Sequence, residues 1–179
     1  MADALAFARK LGIRHKTIDL TEVYDSLLCL LPTAGKLAQN NLKPRLRMLA
    51  LYYFANKMNY LVCGTGNKSE ISLGYFTKFG DGAVDLLPIA GLLKRQVVGL
   101  AEELGIPRQV IDKQPTAGLW PGQTDEGEMG ITYAELDDIL ARMARGSSQA
   151  AAPEKVRKVK QMICRSEHKR QRPRICVVK

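Results

Sequence analysis

Residues 60–63, Tyr-Leu-Val-Cys, form a short apolar run that passes straight into Gly64-Thr65-Gly66-Asn67, with a helix expected from Lys68. Few features restrict a chain more. An apolar strand that ends in glycines and hands over to a helix is a building unit of open α/β sheets, whose ligands bind beyond the carboxyl ends of the strands. The flanking pattern agrees. Leu5, Ala8 and Leu11 predict a helix over residues 2–11 with Gly12 as its stop, and residues 14–20 alternate as a strand does. Thr21 opens a helix that residues 32–35 break. Residues 41–59 give the strongest helix, with Leu42, Leu46, Leu49, Tyr53 and Phe54 on one face and Pro44 in the first turn, where a missing N–H does no harm.

Further along, residues 86–89 read as extended and residues 93–104 as an amphipathic helix closed by Gly105 and Pro107. Residues 107–112 add a turn of helix. Residues 113–130 show no periodicity, hold two Pro and four Gly, and read as a mobile active-site loop. Thr132 and Glu135 have the spacing of a capping box. Residues 146–152 form a flexible break before a last helix over 153–164. The order of strands and helices predicts an α/β fold, a right-handed parallel sheet flanked by helices, in one domain over residues 1–179. A parallel sheet normally begins with a strand, so the helix-first opening predicts that something upstream is missing.

With 46% hydrophobic and 25% charged residues, the composition is that of an ordinary globular domain. No apolar run reaches the length of a membrane span, and the first ten residues lack the basic start and cleavage site of a signal peptide. A cytoplasmic setting is expected. Cys29, Cys63, Cys164 and Cys176 have neither CxxC nor CxxH spacing, which argues against zinc and against a disulfide framework. The net charge of +9 is concentrated in the C-terminal segment 153–179, where ten Lys and Arg face two Glu. That segment is either a solvated tail or one that meets phosphates. It contains no aromatic residue, so it offers no stacking platform for nucleic acid.

Four segments could carry chemistry, and each has a plainer alternative. In the 64–70 turn the glycines admit a nucleotide, Thr65 offers a hydroxyl and Glu70 a carboxylate for a hard cation such as Mg²⁺; a tight turn with a helix-favouring Glu explains it equally. Residues 74–85 combine aromatics, Lys78, Asp81 and Asp85, in a loop that Gly-Asp-Gly alone would turn. Lys94 at the start of a helix can pair with phosphate oxygens or be a solvated first-turn residue. Asp125, Glu126 and Glu128 suggest charge control near a reacting centre, or solvated loop carboxylates.

In this order, the segments resemble the ammonia-dependent NAD synthetase family, of the N-type ATP pyrophosphatase kind, over its C-terminal two-thirds. The motifs are the 64–70 turn, Phe76-Thr77-Lys78-Phe79-Gly80-Asp81-Gly82, Leu87-Pro88-Ile89, Lys94-Arg95-Gln96, Pro115-Thr116-Ala117, Thr124-Asp125-Glu126, Glu128-Met129-Gly130 and Glu167-His168-Lys169-Arg170. The resemblance implies an adenine nucleotide alpha hydrolase-like, Rossmann-like fold. It implies that ATP adenylates the carboxylate of deamido-NAD, releasing pyrophosphate, and that ammonia then displaces AMP to give NAD. By motif, Thr65, Lys94 and Thr116 are implied as ATP contacts and Glu70 as the Mg²⁺ ligand. Arg45, Lys78, Asp81, Asp85, His168 and Lys169 are implied as deamido-NAD contacts, and Asp125, Glu126 and Glu128 as acidic catalytic residues. The family also implies a homodimer, for which the apolar face of residues 42–54 is a candidate.

One departure stands out. The family's Ser-Gly-Gly-x-Asp-Ser phosphate loop, with its second Mg²⁺ ligand, has no counterpart, and no Ser-Gly-Gly occurs in the 179 residues. The expectation is an N-terminally truncated domain, the substrate-reading portion of such an enzyme, which needs a missing N-terminal segment or a companion chain for turnover. No glutaminase-like segment is present, so free ammonia is the expected nitrogen donor. Two further readings stay open: a nucleotide-binding remnant without catalysis, and a related ATP pyrophosphatase that amidates another substrate.

Overall fold

The computed structural model describes residues 2–146 and 153–178. The break expected at 146–152 lies, from residue 147 on, outside the described residues. The described residues form α1 (Ala2–Lys10), α2 (Thr21–Leu30), α3 (Lys36–Asn40), α4 (Leu42–Met58), α5 (Lys68–Leu73) and α6 (Lys94–Glu103). These are followed by α7 (Arg108–Ile111), α8 (Asp125–Met129), α9 (Tyr133–Ala144), α10 (Pro153–Arg165) and α11 (Glu167–Arg170). None of the described helices is long and apolar enough to cross a membrane. The four cysteines are exposed free thiols.

Helix α9 organises the core. Tyr133, Leu136, Asp137 and Leu140 recur at helical spacing on its buried face. Thr132 caps its start in the expected capping box with Glu135. Ile139 adds to that face, and around it pack Leu73 of α5, Leu93, Met129 of α8, Ile131 and Val159 of α10. The N-terminal half is different. Neither α1 nor α2 buries a residue, and α4 buries only Pro44 and Ala55. On the α4 face drawn from the sequence, Leu49 and Tyr53 are 60% and 61% exposed, so within this chain it is not a core face.

The expected sheet reduces, among the described residues, to one parallel bridge between Cys63 and Leu86. The Gly64 N–H donates to the Leu86 carbonyl at 2.8 Å, and the Asp85 and Leu86 N–H groups reach the Val62 carbonyl at 2.9 and 3.3 Å. A parallel ladder grows by evenly spaced rungs on both sides of such a pair. Here neither side can extend. The Val62 N–H is taken by the Asp85 carboxylate at 2.7 Å, and residue 88, which would donate the next rung, is a proline. Residues 14–20 run without helix or strand and are almost wholly exposed.

Two further differences matter for the site. The last part of the 113–130 loop is wound into α8, capped by Thr124 Oγ1 accepting from the Gly127 N–H and ended by Gly130 in the left-handed region. The basic C-terminal segment is partly an internal fastener. Arg170 donates to the carbonyls of Ile71 at 3.3 Å and Ile163 at 2.6 Å, beside the point where Ser166 abuts Gly74. Gly74 has φ +68°, and a Cβ there would lie 2.3 Å from Ser166 Cβ. Gly74→Ala is therefore expected to destabilise the fold by ~1–3 kcal/mol from the left-handed backbone alone. A lowered urea midpoint at unchanged slope would show it, and an unchanged midpoint would mean that this junction is loose.

Candidate nucleotide site

The turn after Cys63 feeds α5 through a complete capping box. Asn67 Oδ1 accepts from the Glu70 N–H, and Glu70 Oε2 accepts from the Asn67 N–H, both at 3.0 Å. This leaves Glu70 Oε1 free of the capping box, 3.6 Å from Lys94 Nζ at the start of α6. The carboxylate thus serves the helix with one oxygen and meets Lys94 with the other. Lys94 Nζ also lies over the Tyr133 ring, 5.0 Å from its centroid.

Two phenols tie this pair to α8. Tyr133 donates to Asp125 Oδ2 at 2.9 Å, with Glu70 Oε1 at 3.5 Å. Tyr75 donates to Glu128 Oε2 at 2.8 Å, with Asp125 Oδ1 at 3.2 Å. Burial first, and then the neighbouring carboxylates, hold both phenols well above the usual tyrosine range. They therefore stay protonated donors to a carboxylate, Asp125, that is itself buried. Gln123 adds a bond to Glu128 Oε2 at 2.8 Å. Neither tyrosine was assigned from sequence; the available signal is that a buried phenol needs a partner.

The remaining residues of this group lie at its edge. Thr65 is exposed on the turn itself. Thr116 is exposed, accepts from the Gly118 N–H at 3.1 Å, and sits next to Pro115, whose carbonyl accepts from the Asp125 N–H at 3.0 Å. Glu126 accepts from the Tyr133 N–H at 2.8 Å, which makes it a cap for α9. Among the described residues no group of three or more His, Cys, Asp or Glu could hold a metal ion. Mg²⁺ commonly takes one or two carboxylates together with waters and substrate phosphates, and the Glu70 oxygen left free of the capping box fits that use.

A second group surrounds the 74–85 loop. Arg45 on α4 reaches the Lys78 carbonyl at 3.4 Å, and Lys78 Nζ donates to the His168 carbonyl at 2.5 Å. Lys169 donates to the carbonyls of Gly74 and Phe76, each at 2.8 Å, and its burial lowers its pKa. Asp81 accepts from the Thr77 N–H at 2.9 Å. Asp85 accepts from Tyr52 at 3.1 Å as well as from Val62. His168 is exposed, with Nδ1 3.1 Å from the Arg165 carbonyl. Arg45, Lys78, Asp81, Lys169 and the His168 carbonyl therefore meet at one loop, while Asp85, at its end, turns to Val62 and Tyr52. Tyr75, at the start of that loop, links it to Asp125 and Glu128.

The chain is similar to known proteins over nearly its whole length. Residues 1–173 match the family profile described as NAD synthase. The chain is 51% identical over 177 residues to an NH(3)-dependent NAD(+) synthetase of Archaeoglobus fulgidus, covering 99% of this chain and 71% of that protein. A protein of the same name from Syntrophomonas wolfei is 46% identical, covering 98% of this chain and 71% of its own length. Among solved structures, an NMN synthetase from Francisella tularensis superposes with a TM-score of 0.88 at 40% identity, over all of this chain and 72% of that one. An NH3-dependent NAD synthetase from Campylobacter jejuni gives 0.83 at 26% identity, over 98% of this chain and 71% of that one.

Proposed function

The chain belongs to the NAD synthase family, and on that premise we propose that it serves the ATP-dependent amidation of deamido-NAD by ammonia, a carbon–nitrogen ligation. The observation that carries this reading is the Lys94–Glu70 pair, held at 3.6 Å beyond the carboxyl end of the Cys63–Leu86 pairing and backed by Asp125 and Glu128. A cation and carboxylates at that end of an α/β pairing suit a nucleotide triphosphate.

In this reading a carboxylate oxygen of deamido-NAD bonds to the α-phosphorus of ATP, and pyrophosphate leaves. Lys94 neutralises the charge that builds on the departing oxygens, and Thr65 and Thr116 offer hydroxyls at the rim. A bound Mg²⁺ would add charge neutralisation at the phosphates, with Glu70 Oε1 as its protein ligand. Ammonia then bonds to the activated carbonyl carbon, AMP leaves, and Asp125 or Glu128 accepts the proton released from nitrogen. Glu126 contributes by capping α9. Arg45, Lys78, Asp81, Asp85, His168 and Lys169 form the deamido-NAD wall. Within it, Lys169 and Asp85 act by holding the 74–85 loop. The setting is cytoplasmic, and the working form is a homodimer that uses the α4 face, a reading supported by the exposure of Leu49 and Tyr53.

With ATP, Mg²⁺ and ammonia the purified chain is expected to bind deamido-NAD but to form little AMP or NAD until a further segment or a companion chain completes it, in line with the absent Ser-Gly-Gly. AMP and NAD formed in equal amounts by the chain alone would show instead that this loop is dispensable. A second reading is favoured by one observation, the 0.88 superposition on an NMN synthetase. On that reading the substrate is the mononucleotide acid, and amide formation from it in preference to deamido-NAD would establish the difference.

A further inference from the structure

Helix α6 starts at Lys94 with Leu93 as its N-cap residue, and a leucine side chain has no atom able to accept the first free N–H groups. The acceptors come from two other helices. The Lys94 N–H donates to Ser69 Oγ of α5 at 3.0 Å, and the Arg95 N–H donates to Asp137 Oδ2 of α9 at 2.8 Å. Ser69 in turn donates its hydroxyl proton to Asp137 Oδ1. Ser69 and Asp137 are both 0% exposed. The guanidinium of Arg95 points elsewhere, to Asp138 at 2.6 Å.

Burying a carboxylate is costly unless hydrogen bonds meet it, and an apolar residue would serve packing better on a face that also carries Leu136, Ile139 and Leu140. What the carboxylate adds is a connection. Ser69 immediately precedes Glu70, and Lys94 is the first residue of α6. One buried group thus fixes both stretches of backbone whose side chains meet at 3.6 Å. We infer that Asp137, acting through Ser69 and the α6 N-terminus, is a positioning residue that sets the Lys94–Glu70 pair for the phosphates of ATP. The role rests on the functional reading above. It differs from a purely structural one in being specific to the nucleotide side of the site, because the 74–85 loop hangs on Lys169, Asp81 and Asp85 instead.

The test compares Asp137→Asn, Ser69→Ala and Ser69→Thr with the parent chain by calorimetric titration of Mg·ATP and, separately, of deamido-NAD, with urea unfolding alongside. Asp137→Asn and Ser69→Ala are expected to weaken Mg·ATP binding about tenfold or more, as loss of a supporting shell commonly does, while deamido-NAD affinity stays within about twofold. Ser69→Thr keeps the hydroxyl and is expected to recover most of the ATP affinity. In a Lys94→Met background the same changes should cost much less, since the group they position is gone. A folded Asp137→Asn chain that binds Mg·ATP as the parent does would overturn the role. So would a fall in both affinities in step with stability. If Asp137→Asn does not fold, the two Ser69 variants decide. A parent chain that binds no Mg·ATP overturns the functional reading and this role with it, whereas normal binding by parent and variants alike removes only the role of Asp137.

Discussion

Lys94→Met is expected to weaken Mg·ATP binding by ~1.5–3 kcal/mol, roughly ten- to a hundredfold, while leaving deamido-NAD affinity nearly unchanged. Methionine keeps an unbranched stem to lie over Tyr133 but removes the ammonium that faces Glu70 at 3.6 Å. Stability should move less, because the pair is long at 3.6 Å and both side chains, 25% and 20% exposed, keep some contact with solvent. The two readouts therefore separate. Calorimetric titration gives the affinity and thermal unfolding gives the stability. Equal ATP affinity in the two chains would remove Lys94 from the nucleotide site. A large loss of stability would instead mean that the lysine belongs to the scaffold.

Leu136→Ala should have the largest effect on folding. Leu136 is 0% exposed in the middle of α9, and truncating such a side chain costs ~2–5 kcal/mol through lost burial and the cavity left behind. For a domain of this size the melting temperature is expected to fall by about 4–20 °C. The loss should also reach the site, since Tyr133 and Asp137 flank Leu136 on the same buried face. Urea unfolding monitored by circular dichroism measures the first effect. An unchanged midpoint would show that α9 is not the element around which the C-terminal half packs.

The longer helices were legible because their ends are written locally, whereas the short α3 and α11 were not expected. Thr132 with Glu135, Gly105 with Pro107, and the break at residues 32–35 each carry a physical stop or start in their own chemistry. Helix α8 escaped because its five residues include three acids and no apolar period, although Thr124 and Gly130 mark both of its ends. Of the expected strands, only the Cys63–Leu86 bridge is formed among the described residues, for a different reason. Residues 60–63 have strand composition, but growth of a ladder depends on what the partner offers, and the partner offers a carboxylate at Asp85 and a proline at 88. Likewise the site residues could be named singly, while their grouping could not. Nothing near Tyr75 in the chain announces Asp125 or Glu128, and nothing in a run of basic residues says that Lys169 will point inward to two carbonyls.

The single bridge between Cys63 and Leu86 also bears on how copies of this chain can meet. An open edge with unpaired N–H groups is a template, and a chain that leaves Tyr60 and Leu61 58% and 69% exposed beside such an edge would invite recruitment of strand after strand. Here Asp85 already occupies the Val62 donor, and Pro88 has none to give. The pairing closes itself after one rung. Contacts made through the exposed Tyr60 and Leu61 therefore cannot lengthen this pairing, whatever else they bring together.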